Sequence, residues 1–198
     1  MRALRSHGTL VAVVCVGHTR AMGTSFTDNY RFLARYNRWF NVRLYAACAG
    51  LTSEQLESDR GAFFRSIRGT LDHLAWTDVL WLGRFALAGE TFPSLPTELL
   101  GALPSVLQEN VRTRTFESLT AFRDTIDAAI ENWFAHMPDD APQRTIRYGN
   151  MKGVQREHAM WQAMTHLFNH QTHHRGQITT MLTQLGIDVG VTDLISLV

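Results

Sequence analysis

The chain has 198 residues, of which 45% are apolar and 19% charged, with a net charge of +1. That balance excludes a largely disordered chain and a strongly basic nucleic-acid surface, and the length suits one domain with a sizeable core. The only cysteines, Cys15 and Cys48, are far apart, which excludes a disulfide framework or a thiolate zinc site and fits a reducing, cytoplasmic setting.

Residues 1–21 read MRALRSHGTLVAVVCVGHTRA, with Arg2 and Arg5 ahead of a short apolar run, the outline of a signal peptide. The run is short, is followed by His18 and Arg20, and is far too brief to span a bilayer. The plainer reading is an N-terminal extension of uncertain role, with a single domain over 22–198.

From Ser25 the pattern is helical. Phe26, Tyr30, Leu33, Asn37, Phe40, Leu44 and Ala47 recur at three and four spacing, predicting one long helix that stops at Gly50. Thr52 or Ser53 caps a short turn, and Phe63, Ile67, Thr70, Leu74, Thr77 and Trp81 mark the inner face of a second long helix over 62–87. The stretch GETFPSLPTELLGALPS reads as a connection with a short helical turn inside it. A third helix, starting near 105 or 115 and ending at 136, turns Phe116, Leu119, Phe122, Ile126, Ile130 and Phe134 inward.

Two short segments around Ile146 and Val154, flanking Gly149, Asn150 and Gly153, predict a small β-hairpin. A fourth helix over 156–185 stops at Gly186. The fold class expected is all-α, a four-helix bundle with a hairpin before the last helix.

The chemistry gathers in NHQTHHRGQ, residues 169–177. The inner stripe of the fourth helix reads Ala163, Leu167, His170, His174, Ile178, Met181 and Leu185, so His170 and His174 face the core one above the other. On the second helix His73 lies beside Thr70 and Thr77 and can face the same interior. Three imidazoles with further positions open to water or substrate suit a catalytic rather than a structural metal site. Imidazole ligation fits zinc, nickel, copper or iron, and Gln171 in place of a glutamate excludes the HExxH protease pattern. His166, near the inner face one turn before His170, reads as a surface or packing residue with an additional ligand or a supporting group as the alternative, while His158 and His173 read as structural or solvated. Asp72 and Asp78 stand at the wrong angle to join His73 at one ion, and Arg175 points away from the stripe to pair with another element. The competing reading makes the histidines hydrogen-bonded core groups.

The segments YNRWFN, GTLDHLAWTDVLWLGRF and HLFNHQTHHRGQITTMLTQLGIDVGVTDL together resemble the DinB family of damage-inducible proteins, within the DinB/YfiT-like metalloenzyme superfamily and distinct from the DNA polymerase sharing the name. The resemblance covers about residues 25–198 and implies a commonly homodimeric four-helix bundle, with a divalent metal on His73, His170 and His174. It further implies a metal-dependent enzyme, a thiol S-transferase in stress response or detoxification with a low-molecular-weight thiol as cosubstrate and a small-molecule substrate. The alternatives are a metal-dependent hydrolase and a non-catalytic metal-binding interaction protein. No nucleic acid or membrane partner is expected. The extension before Met22 departs from the family pattern.

Overall fold

The structure, a computed structural model, describes residues 25–198. The expected extension over 1–21 and the domain start at Met22 lie outside the described residues. Helix α1 (Phe26–Cys48) is started by a capping box in which the Ser25 hydroxyl accepts from the backbone while the Asp28 carboxylate accepts from the Ser25 N–H at 3.0 Å. Thr52 and Gln55 make the same reciprocal pair at the short α2 (Ser53–Glu57).

Helix α3 spans Ile67–Leu87, five residues later than the spacing predicts. Residues 62–65 form instead a tight turn closed by a bridge between Ala62 and Arg65, and Arg65 adopts a left-handed φ of 68° that no right-handed helix can contain. Ser66 then caps α3 by accepting from the Gly69 N–H at 3.0 Å. Phe63, expected on the inner helix face, is 83% exposed.

The connection carries α4 (Thr97–Leu100), and the undecided start of the third long helix resolves into two helices, α5 (Pro104–Arg112) and α6 (Phe116–Ala135). Thr115 interrupts them because its hydroxyl caps α6, accepting from the Ser118 N–H at 3.1 Å.

Strands β1 (Thr145–Gly149) and β2 (Gln155–Ala159) pair antiparallel, with Ile146 opposite His158 and Tyr148 opposite Arg156. Val154 thus lies in the turn, and α7 (Met160–Thr183) begins four residues later than predicted because residues 155–159 give their backbone groups to β1. His158 is accordingly a strand residue and not the start of the last helix. Gly186, at φ 73°, ends the run as its residue type requires.

The four long helices α1, α6, α3 and α7 pack in that cyclic order, and the hairpin leans on α3 and α7. Asp78 of α3 meets Arg123 of α6, and Phe85 meets Trp133, so these neighbours run in the same direction. A tight loop cannot join parallel helices about 30 Å long, which accounts for the extended 88–115 connection. The predicted inner stripes are mainly borne out. Tyr30, Phe40, Leu44, Ile67, Leu74, Leu119, Ile126, Leu167 and Ile178 are all buried. Phe26, assigned to the inner stripe, is 46% exposed, its ring edge-on to Tyr30 and Trp161 at the bundle end. Among the described residues no helix is long and apolar enough to cross a membrane.

Candidate metal centre

Antiparallel packing of α3 on α7 brings His73 against His170 and His174. Their ring centroids lie 4.9 Å (His73 to His170), 4.7 Å (His73 to His174) and 4.5 Å (His170 to His174) apart. One ring nitrogen from each falls within 4.8 Å of the others, and the Nε2 atoms of His73 and His170 are 2.9 Å apart. Metal–imidazole bonds of about 2.0–2.1 Å put the nitrogens of a tetrahedral site roughly 3.3 Å apart, so the cluster matches that scale to within side-chain adjustment.

The outer nitrogens are held in a way that suits this use. The His174 Nδ1 donates to Gln177 Oε1 at 2.8 Å, which leaves its Nε2 as a lone pair. The His73 Nδ1 lies 3.3 Å from Thr77 Oγ1, while the His170 Nδ1 is buried without a partner. Burial pushes His73 and His170 down to about 3, with the neighbouring His174 adding to the shift in each, and burial also lowers His174 against the opposing Gln177 bond. All three are therefore neutral imidazoles at pH 7, the form that ligates metal. A group so composed can hold a metal ion.

Phe64 covers one side. The turn over 62–65 lays its ring on His73 at 3.8 Å, nearly parallel, with His174 edge-on at 5.4 Å. Gly69 permits this, because a Cβ there would collide with the Phe64 carbonyl oxygen. Nothing in the hydrophobic spacing marks Phe64, since the reading that places Phe63 in a helix hides the turn.

The remaining sequence candidates fall around this group. His166 is exposed, its ring 5.7 Å from that of His170 and packed on Trp81, and its nitrogens are not among the converging three. His173 is exposed and touches Gln177. Asp72 pairs with Arg68 at 2.7 Å. Arg175 pairs with another element as expected, donating to Asn37 Oδ1 of α1 at 2.6 Å, and is buried at 1% exposure.

Behind the histidines lies a buried polar network that sequence reasoning missed. Arg123 donates to Asp78 and to Asp127, both at 2.7 Å, and Asp127 also accepts from Asn37 and Asn41 at 3.0 Å. Gln171, next to His170, donates to Asp78. Burial pushes Asp78 up to about 6 against Arg123, so it remains a carboxylate at pH 7. All four long helices are thereby tied together, and the register of α7 against α3, on which the three histidines depend, is set by hydrogen bonds as well as by apolar packing. The signal was present as polar pairs at helical spacing of four: Asn37 and Asn41, Arg123 and Asp127, Gln171 and Arg175.

Comparison with known proteins agrees with this architecture. The chain is 25% identical over 162 residues to Protein DinB of Bacillus subtilis (strain 168), an alignment covering 81% of this chain and 88% of that protein. The family model described as the DinB family matches residues 22–197, which include the whole bundle, the hairpin and the three histidines, and the chain therefore belongs to the DinB family.

Proposed function

We propose that the chain is a divalent-metal protein in which His73, His170 and His174 are the ligands, and that its centre is catalytic. The observation that carries this reading is the convergence of three neutral imidazoles from two helices, a group that among the described residues no carboxylate or cysteine joins. Structural zinc is normally closed by four protein ligands, whereas three leave room for a reactant. Zinc, nickel and iron all accept imidazole, and the donor set does not discriminate among them. When bound, such an ion supplies a Lewis acid that makes a thiol or a water nucleophilic at neutral pH.

The chain's own residues do the positioning. Gln177 holds the His174 Nδ1 proton, Thr77 stands at His73 Nδ1, and the Phe64 ring shields one face of His73 from water. The histidines act as ligands and not as bases. The reaction proposed is thiol-dependent S-transfer onto a small electrophile, serving detoxification or stress response, in a cytoplasmic homodimer whose chains each use residues 22–198 as one unit. Hydrolysis is the nearest variant.

Elemental analysis after extensive dialysis tests this reading. Untagged wild type is expected to retain near-stoichiometric metal and His170→Ala to lose it. Cobalt-substituted protein should change its visible spectrum on adding a thiol. Absence of metal from wild type after reconstitution with zinc, nickel and iron would return the histidines to the role of core polar groups. Metal present with a spectrum indifferent to thiol or azide would make the centre a closed, non-catalytic one.

A further inference from the structure

Helix α3 continues past His73 through Thr77 and Trp81 to Arg84 at spacings of four, four and three, so these residues share one face. Opposite them on α7, His166 lies against Trp81 with ring centroids 5.0 Å apart. The Arg84 guanidinium sits in the corner of two rings that meet edge to face, its Cζ 4.5 Å from the ring centroid of Trp81 and 4.5 Å from that of Tyr148. The hairpin supplies Tyr148 and braces it, since its hydroxyl lies 3.1 Å from His158 Nε2 on the paired strand.

Arg84 is only 9% exposed, yet among the described residues no carboxylate pairs with it. Among the described residues one long hydrogen bond, from Nη2 to Gly149 O at 3.4 Å, is the only one its guanidinium makes, and its other nitrogens are not sealed from solvent. Of the other deeply buried arginines, Arg123 holds two carboxylates, and Arg175 is sealed from solvent with its Nε unpartnered and a short 2.6 Å hydrogen bond to Asn37 Oδ1, whereas Arg84 has neither a carboxylate nor a short hydrogen bond among the described residues. Contact with aromatic rings stabilises a guanidinium without using its N–H groups as hydrogen-bond donors, and those N–H groups can bind an oxyanion with two parallel hydrogen bonds. A mostly buried cation without a counter-charge is costly, and an incoming anion would remove that cost.

We propose that Arg84 is an oxyanion-binding subsite, taking the carboxylate or phosphate of a small molecule whose other end reaches the three histidines. The second half of that statement rests on the metal reading above; the first does not. Trp81 and His166 bridge the two ends, because Arg84 contacts the Trp81 ring, Trp81 contacts His166, and the His166 ring lies 5.7 Å from that of His170. The ligand class is therefore an elongated molecule with an oxyanion at one end, a metal-seeking donor such as a thiol at the other, and a middle that tolerates aromatic walls.

The test uses full-length protein loaded with cobalt and three probe series of increasing length: ω-mercapto carboxylates, ω-mercapto phosphonates and the neutral ω-mercapto amides. Affinity is read by calorimetry and by the thiolate-to-cobalt absorption band. At the best-fitting length an oxyanion probe should bind wild type about tenfold or more tighter than its amide, the scale of a charge-assisted hydrogen-bond pair. Arg84→Gln should bring that ratio to near one without changing amide affinity, and Arg84→Lys, which keeps the charge and also serves if Arg84→Gln does not fold, should keep part of it. The order of carboxylate and phosphonate identifies which oxyanion the subsite takes. Equal affinities in wild type at every length, no binding of any oxyanion probe, or a preference that survives Arg84→Gln would overturn the proposal. If cobalt does not load, the metal reading fails separately, and the same ratio measured by calorimetry on metal-free protein still decides the role of Arg84.

Discussion

Metal-free protein should lose stability as the pH falls from 7.5 to 5.0, and His73 and His170 should be the cause. Each is held at about 3 in the folded chain against 6.5 when free, because burial penalises the imidazolium. The sign follows from proton uptake. Below 6.5 the unfolded chain binds protons at these two positions and the folded chain does not, so acid favours unfolding, and the loss deepens until the pH reaches the folded value. At pH 5.0 linkage gives about 2 kcal/mol for each histidine, about 4 kcal/mol for the pair. Both side chains keep partial contact with water, which reduces the expectation to about 2–3 kcal/mol. The assay is urea unfolding of metal-stripped wild type at the two pH values beside a His73→Gln/His170→Gln variant. Asp72 and Asp78, pushed up to about 6 by burial, act in the opposite direction, but they are common to both proteins and cancel in the comparison. Wild type and variant losing the same stability between pH 7.5 and 5.0 would refute the reasoning, and would mean that the histidine cluster opens to solvent when no metal is present.

Three further outcomes are expected. Asp78→Ala leaves Arg123 with one carboxylate in a site that excludes water, and should cost about 3–5 kcal/mol in urea unfolding; a cost under about 1 kcal/mol would show that the network is not structural. Thr77→Val removes the oxygen beside His73 Nδ1 while keeping the side-chain shape, and competition with a chelator should show metal affinity lowered about 10–100-fold with little change in thermal midpoint. Gly83→Ala places a methyl group against the Leu100 carbonyl of α4, and thermal unfolding should report a loss of about 1–3 kcal/mol; an unchanged midpoint would mean that α4 yields easily.

Much of the bundle is legible in the order of residues alone. Three-and-four spacing locates the long helices, because an amphipathic helix must turn one stripe to the core wherever it packs. The same periodicity puts His170 and His174 on one face and directs His73 inward, so the histidine cluster could be read before any packing was known. Where helical spacing continued into segments whose backbone had another use, it misled. Phe63 fits the stripe of α3, but the Ser66 cap and the left-handed Arg65 end the helix before reaching it. Residues 156–159 fit the last helix, yet they pair with β1. Arg175, off the histidine stripe, does find its expected partner on another element, Asn37 of α1, because α7 has two packed faces, one toward α3 and one toward α1.

Periodicity is a property of one helix and was determined by the sequence itself. Which helices become neighbours was decided only by the tertiary structure, and with it the partner of every buried charge. Asp78 finds Arg123 and Gln171 across two helix interfaces, and Arg84 finds two aromatic rings and, among the described residues, no carboxylate. The energy of a buried charge depends on what stands within a few ångströms of it, and those neighbours come from distant parts of the chain.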